Sequence, residues 1–286
     1  MVDLTEGEYR YLVAQISEPG DSRLNKLAEK YPWSEIVSSG TLLPESYRQR
    51  FLEIDRAKLL SNFPNENFIW PSHPLWPSQL NDLGHRTPIG IWYRGEIENL
   101  NPISVAIVGA RSATTYGENV AADLAMKLSS LDIDVVSGGA FGIDAAAHHG
   151  ALVGDGFTIA VMAGGVDVHY PKSNSKLFER ILESGLIVSE VPPTTIPIRH
   201  RFLIRNRLIA AFARATLVVE ARIRSGAMST AGEAALIGRD VMAVPGSIHS
   251  ASSAGCHQLI RDGAILVSDV KEICELIVGD YPLYSA

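Results

Sequence analysis

Four arginines lie within nine residues in the segment RHRFLIRNR, which runs from Arg199 to Arg207 and precedes the apolar stretch LIAAFARATLVVEA. A guanidinium offers five N–H donors in a fixed fork that matches phosphate or carboxylate oxygens, and it stays charged at any working pH. The segment therefore predicts either an anion-binding site or buried ion pairs. In the second case Arg205 or Arg207 pairs with Glu190 or Glu220, the acids that close two apolar strands.

Five further segments are rich in glycine, small residues and hydroxyls, and each follows a short apolar run. They are ARSATTYG (110–117), SGGAFGID (137–144), AGGVDVHYPKSN (163–174), RIRSGAMSTAGEA (222–234) and PGSIHS (245–250). Glycine lets a ligand approach the backbone, and a helix N-terminus behind such a loop supplies free N–H donors. One such loop alone would indicate a tight turn, but five at equivalent positions predict a phosphate-binding surface.

Several familiar chemistries have no matching pattern. The motif GxGxxG does not follow the first strand of the α/β region, a Walker A motif is absent, and no GxSxG elbow is present to activate Ser137 or Ser225. His148 and His149 are adjacent, and neighbouring positions on a helix point in different directions, so we interpret them as packing or surface histidines. We therefore expect no metal ion, no cofactor and no catalytic residue.

Composition restricts where an anion can bind. The 286 residues include 46% hydrophobic residues, and 25 Lys+Arg against 32 Asp+Glu give a formal net charge of -7. Such a chain has no polybasic field, so an anion site must be a local pocket. Cys256 and Cys274 have no zinc-ligand spacing, which fits buried thiols in a reducing compartment. We find no leader segment and no run of about 18 apolar residues, and we expect a cytoplasmic protein without a membrane span.

The elements that would position these residues fall into two parts. Residues 1–62 have helical patterning and predict a small helical domain, whereas residues 63–286 predict an α/β domain. Its buried strands are SVAIVG, DVVSGG, TIAVMAGG, LIVSE, TLVVEA and VMAVPG, each followed by a helical segment. This alternation predicts a doubly wound parallel sheet, in which the loops at the strand carboxyl ends form the ligand crevice. Arg111 follows the first strand and Lys172 the third, with no obvious acidic partner nearby in the sequence.

The ordered motifs VAIVGAR…YG, SGGAFGIDAAAHHGAL, TIAVMAGGVDVHYPKSN, SEVPP, RNRLIA, LVVEA…SGAMSTAGEA and AVPGSIHSASSAGCHQLIRDGA resemble the DprA/Smf family of DNA-processing proteins. The resemblance covers about residues 63–277. It implies an extended Rossmann-like domain that binds single-stranded DNA without sequence preference, forms a homodimer, and protects incoming DNA and loads the RecA recombinase onto it during natural transformation. It implies no enzyme activity. Residues 1–62 resemble the sterile-alpha-motif-like (SAM-like) domain of many members.

The resemblance also assigns roles to single residues. It makes Arg111 and Lys172 the cations that contact the strand, and the small and amide residues beside them are Gly109, Ser137, Gly138, Gly139, Gly164 and Asn174. Phe141 departs from the arginine or tyrosine that is frequent there, and its ring could stack on a base. Arg205 and Arg207 match the family's RNR motif at the floor of the site, and Arg199 and Arg201 are placed before the helix, on the rim. Many members carry a C-terminal winged-helix domain, which is not expected within these residues.

A second function remains open at this stage. Related Rossmann-like enzymes that cleave nucleoside monophosphates at the sugar–base bond, the phosphoribohydrolases, also have glycine-rich loops and a glutamate in a small-residue motif. SGAMSTAGEA, with Glu233, is somewhat similar, although it lacks the form PGGxGT. Release of free base from nucleoside monophosphates would distinguish such an enzyme from a DNA-binding protein.

Overall fold

The structure, a computed structural model, describes residues 4–63 and 67–278. The first of these parts is helical. Its helices are α1 (Glu6–Ala14), α2 (Ser22–Ala28), α3 (Trp33–Ser39), α4 (Glu45–Glu53) and α5 (Arg56–Asn62). Residues 46–63, which share one helical pattern in the sequence, form two helices because the Asp55 side chain accepts the Lys58 N–H and starts α5 as a new N-cap.

The second part alternates strands and helices. The strands are β1 (Phe68–Ile69), β2 (Ile91–Gly95), β3 (Ser104–Val108), β4 (Asp134–Ser137), β5 (Thr158–Met162), β6 (Leu186–Ser189), β7 (Ala215–Val218), β8 (Asp240–Ala243) and β9 (Ile265–Leu266). The helices are α6 (Thr115–Ser129), α7 (Ile143–Val153), α8 (Ser175–Ser184), α9 (Arg199–Phe212), α10 (Gly226–Leu236), α11 (Ala254–Arg261) and α12 (Val270–Val278). All six predicted buried strands are present, as β3 to β8.

The nine strands of the described residues form one sheet in the order β1-β2-β6-β5-β4-β3-β7-β8-β9. Strands β3 to β9 pair in parallel, whereas β2 pairs antiparallel with both β1 and β6. The parallel part of the sheet starts in the middle at β3, continues outward through β4, β5 and β6, and then crosses to β7 on the other side of β3. This confirms the predicted doubly wound fold and places its switch point between β3 and β7, where such sheets open a crevice.

Both faces of the sheet are covered, because successive strand residues point to opposite sides. Val161 packs in the cluster formed with α9 and α10, whereas Met162, on the other face, joins the cluster formed with α8 and the N-terminal helices. The cluster around Met162 includes Tyr11 from α1 and Trp92 from β2, so the helical part shares a core with the sheet. The domain boundary at residues 62–63 stays a prediction.

The two cysteines and the apolar content of the helices were also considered in the sequence. Both cysteines, Cys256 and Cys274, are free and buried, as predicted. Among the helices of residues 4–63 and 67–278, none combines the length and the apolar content that a membrane span requires.

Asp134 is a buried acid at the start of β4, at the end of the strands that is opposite the crevice. It is 4% exposed, and its Oδ2 accepts the N–H of Asn101 at 2.8 Å. Burial, with the Asp132 carboxylate adding to it, raises the pKa of Asp134 to about 7. The folded protein therefore retains a proton between about pH 4 and pH 7 that the unfolded chain has lost, so this group reduces stability as the pH rises through that window.

We predict that Asp134→Asn stabilises the protein at pH 8 and has little effect near pH 4, because the amide oxygen still accepts the Asn101 N–H but carries no charge. A shift from 3.8 to about 7 is about three pKa units, and at about 1.4 kcal/mol per unit the gain is at most about 4 kcal/mol. Urea unfolding of both proteins at the two pH values measures it. An equal difference in unfolding free energy between the two proteins at pH 4 and at pH 8 would contradict the raised pKa of Asp134.

Candidate functional site

Residues 138–142, here called the glycine turn, join β4 to α7 and are fixed by three side chains. From below, Nη1 of Arg205 donates to the carbonyls of Gly138, at 2.9 Å, and of Val161 at the end of β5. Asn174 Nδ2 donates to the carbonyls of Gly139 and Ala140 at 3.1 and 3.3 Å. These bonds hold the ends of two adjacent strands and the start of α8 in one arrangement.

The buried carboxylate of Asp144 holds the same turn through its N–H groups. Its Oδ2 accepts from Gly138 N at 3.2 Å and from Ala140 N at 3.5 Å. The turn also requires glycine at two positions: a Cβ on Gly138 would lie 2.6 Å from Arg205 Nη1, and Gly142 has φ 71 with its Cβ direction facing the Ala110 carbonyl. The glycine-rich sequence is thus needed for the close packing of the turn.

Arg205 is a charged group in the protein interior. It is 6% exposed in the middle of α9. Burial lowers its pKa to about 10, with the Asp144 carboxylate opposing that shift, so the guanidinium stays charged at neutral pH. Burial also raises the pKa of Asp144, against the attraction of Arg205. The two side chains are close enough beneath the glycine turn for each to shift the pKa of the other.

Arg207 forms the ion pair that the sequence left as one alternative. Its Nη2 lies 2.7 Å from Oε1 of Glu190, and the same oxygen accepts the N–H of Gly20 from the turn between α1 and α2 at 3.1 Å. Glu220 pairs with neither arginine. Its carboxylate accepts the N–H and the hydroxyl of Thr114 at 2.9 and 2.6 Å, at the N-terminus of α6.

The start of α9 differs from the prediction. The helix begins at Arg199, directly after Ile198 in extended conformation, so Arg199 and Arg201 belong to its first turn and do not precede it. The apolar pattern begins only later because the first turns are exposed or half-buried. Arg201 pairs with Glu18 at 3.3 Å, whereas Arg199 is exposed.

The other predicted site residues divide into a floor and a mouth. The floor residues are buried or half-buried and already hydrogen-bonded or packed: Ser137 donates its hydroxyl to Ile107 O at 2.7 Å, and Gly164 O accepts from Ser189 Oγ at 2.7 Å. A Cβ on Gly109 would lie 2.5 Å from the Ile143 side chain. Arg111, Phe141 and Lys172 are exposed at the mouth.

One aromatic ring lies against the Arg111 guanidinium at the mouth, and a second ring packs on the first. The Arg111 Cζ lies 5.2 Å from the centroid of the Phe202 ring of α9, and the centroid of the Tyr170 ring lies 5.3 Å from that of Phe202. Tyr170 is 47% exposed, and Phe141, at the tip of the glycine turn, is 48% exposed. Arg111 is therefore oriented by a ring and next to exposed aromatic surface.

Acids and cations are separated at this edge of the sheet. Asp144, Glu190 and Glu220 are turned inward and bind backbone N–H groups, as described above. Within the described residues, no acid lies within ion-pair distance of Arg111 or Lys172. An acidic chain thus exposes positive charge at its crevice, which suits a phosphate-bearing ligand.

Three residues of the site were not singled out from the sequence. Tyr170 and Phe202 are distant in the chain and meet only because the loop after β5 lies against α9. Asp144 is an acid at the start of α7, and its position shortly after a glycine pair is the sequence pattern that could have indicated its role.

The two adjacent histidines have different environments. His148 is buried and bonds Thr158 Oγ1 at 2.8 Å, while His149 is exposed, which agrees with their interpretation as packing and surface residues.

Potential metal ligands are not clustered. In the part of the chain that the structure describes, no three His, Cys, Asp or Glu side chains are grouped so that they could hold an ion. The exposed charged groups at the mouth that the sequence singled out are cations, Arg111 and Lys172, which are ligands for anions.

The fold and the site together define a class: a Rossmann-like α/β protein with a cationic, aromatic-lined crevice at its switch point. The family model described as DNA recombination-mediator protein A matches residues 67–278. The chain belongs to this family, the DprA/Smf proteins, which confirms the resemblance seen in the sequence.

Individual relatives extend the match. A relative from Mycobacterium tuberculosis (strain ATCC 25618 / H37Rv) is 52% identical over 253 residues, 80% of this chain and 64% of that protein. The X-ray structure of DNA processing protein A from Streptococcus pneumoniae gives a TM-score of 0.84 at 32% identity and covers 96% of this chain and 99% of that one. The structure of DNA processing protein A from Helicobacter pylori, studied for its single-stranded DNA binding mode, gives a TM-score of 0.68 at 29% identity. It covers 76% of this chain and 98% of that one. The chain thus spans about two thirds of the length of the M. tuberculosis relative.

We predict that Arg207→Ala lowers the free energy of unfolding by about 3–5 kcal/mol, because it leaves the Glu190 carboxylate in the interior without its cation. The double variant Arg207→Met, Glu190→Gln should recover much of the loss, since the amide oxygen of the new side chain still accepts the Gly20 N–H. Urea unfolding measures both. Arg199→Ala is the matched control on the same helix and should change stability by less than about 0.5 kcal/mol. A loss for Arg207→Ala no larger than that of the control would contradict a stabilising pair.

Proposed function

We propose that the protein binds single-stranded DNA without sequence preference in the crevice at the carboxyl ends of the strands. The observation that carries this proposal is the exposed Arg111 guanidinium, which lies over the Phe202 ring and has no acid within ion-pair distance among the described residues. A planar cation in this position presents its donors to a phosphate. The family membership of the chain, and the single-stranded DNA binding of the Helicobacter pylori relative, support the same ligand.

Backbone and bases are bound by different residues in this proposal. Arg111 and Lys172 each neutralise a phosphate, which carries no sequence information. Phe141 and Tyr170 offer exposed rings on which unpaired bases stack, and stacking tolerates every base. The floor residues, from Gly109 and Ser137 to Gly164 and Asn174, act by shaping the backbone. Arg205 supports the glycine turn from beneath, and Arg207 holds Glu190 after β6.

The biological part of the proposal follows the family. The protein protects incoming single strands in the cytoplasm and loads the RecA recombinase onto them, and it does so by binding and not by catalysis. An increased rate of RecA filament formation on a single strand in the presence of the protein measures the loading. An unchanged rate would remove RecA from the proposal and leave DNA binding in place.

The phosphoribohydrolase alternative gains no support from the residue on which it rested. The Glu233 carboxylate is in an ion pair with Arg86 at 2.8 Å, and it lines a cavity with Pro19 and Leu203 away from the strand ends of β3 to β5. The carboxylate is therefore already engaged by a guanidinium.

We also propose a homodimer. Within the described residues, β9 has no strand on its outer side, and its Ile265 and Leu266 side chains are exposed. An unpaired edge strand with apolar side chains favours pairing with a second copy. We predict a dimer in sedimentation at micromolar protein, and Leu266→Lys should shift it towards monomer. A wild-type protein that sediments as a monomer across that range would contradict the proposal.

The choice of ligand is tested by competition. We predict that oligo(dT) and a mixed-sequence single strand displace a labelled strand equally well, and that a duplex of the same length competes much less, because the rings at the mouth need unpaired bases. Equal or stronger competition by the duplex would overturn the assignment to single strands.

We predict that Arg111→Ala and Lys172→Ala each lower the slope of log affinity against log salt by about 0.7, the value for one phosphate contact on a single strand. The loss should be similar for every sequence. The matched controls are Arg261→Ala and Lys127→Ala, because both cations lie in the last turn of a helix, at the opposite edge of the sheet. Control variants that change the slope as much as the crevice variants would show that the contacts are not confined to the crevice.

A further inference from the structure

Two more arginines lie at the crevice edge and have no role in the site described so far. Arg222 and Arg224 follow β7, are exposed, and form no ion pair with any residue of the described ranges 4–63 and 67–278. They lie on the other side of the switch point from the glycine turn. The function proposed above uses only the half of the crevice formed by β3, β4 and β5.

Hydrogen bonds place this loop directly beside Arg111. Val108 and Val218 are partners at the ends of β3 and β7, and beyond them the Ala110 N–H donates to the Glu220 carbonyl at 2.8 Å. Arg111 directly follows Ala110, and Arg222 is the second residue after Glu220. The two guanidinium groups therefore leave the sheet from neighbouring points.

The acid of this loop is directed away from the surface. The Glu220 carboxylate binds Thr114 at the N-terminus of α6, as described above, and also accepts from Ser252 Oγ at 3.4 Å. The carboxylate occupies the end of α6, where a phosphate would otherwise be attracted by the helix. An anion approaching this half of the crevice is therefore directed to the exposed arginines and away from the helix N-terminus.

Apolar surface accompanies these cations, as it does in the other half. Ile223, between the two arginines, is exposed, and so is Tyr116, whose hydroxyl donates to the Pro245 carbonyl at 3.3 Å. Both halves of the crevice thus have exposed cations and an exposed ring among the loops that follow the strands. This combination suits a phosphate backbone with unpaired bases better than a free phosphate ion.

We propose that the bound single strand crosses the switch point and continues onto Arg222 and Arg224. The binding path then runs from the loop after β5 to the loop after β7. These strands are three spacings apart, roughly 14 Å at about 4.8 Å each. This inference rests on the proposed function, and it adds a second, separately testable half to the binding path.

The experiment compares salt slopes and length dependence with oligo(dT) as the probe. The double variant Arg222→Ala, Arg224→Ala should lower the slope by about 1.4, two contacts of about 0.7 each. Its affinity should stop rising at a shorter oligonucleotide than that of the wild type, while affinity for the shortest binding oligonucleotides changes little. Arg261→Ala is the control and should leave both measurements unchanged. Thermal melts should coincide for all variants, because the substituted side chains are exposed.

The outcomes separate the two proposals. If Arg111→Ala lowers the slope and the double variant behaves as the control does, the strand uses only the first half of the crevice, and this inference is overturned while the proposed function stands. If neither Arg111→Ala nor the double variant alters the slope, DNA does not bind in the crevice and both proposals fail.

Discussion

The contact on which the site depends is that of the Arg205 guanidinium with the carbonyls of Gly138 and Val161, at the ends of two neighbouring strands. Burying a charged group is costly unless hydrogen bonds and an opposite charge compensate it. Both carbonyls accept from Arg205 Nη1, and the Asp144 carboxylate opposes the lowering of the Arg205 pKa by burial. The glycine turn, the start of α7 and the packing of α9 all follow from where this one side chain is held.

Buried charge also explains how an acidic protein has a cationic crevice. Three acids of this edge, Asp144, Glu190 and Glu220, are buried or half-buried and bind backbone N–H groups. Their charge is used to fix loops, and the cations that face solvent keep theirs. Net charge alone therefore describes the solubility of the chain and not its local affinity for an anion.

The sheet and the exposed cations can be predicted from the sequence, but the contacts beneath the glycine turn cannot. Short apolar runs identify β3 to β8, since buried parallel strands have no polar face. The partners of Arg205 lie 67 and 44 residues away in the chain, and a local pattern cannot show which strand ends face the same helix. The same limit applies to Arg207 and Glu190, whose pairing was one of several options, and to the meeting of Tyr170 with Phe202.

The stacking of Arg111 on Phe202 has a consequence for conformational entropy. An arginine that is free to rotate loses rotamer freedom when it binds a ligand. This loss makes the free energy of binding less favourable by roughly 0.5–1.5 kcal/mol per ordered side chain. Here the ring restricts the guanidinium during folding, so less freedom is left to lose when a ligand arrives. The planarity of the group matters as much as its charge, since an ammonium in the same place would carry the charge without the fixed fork of donors.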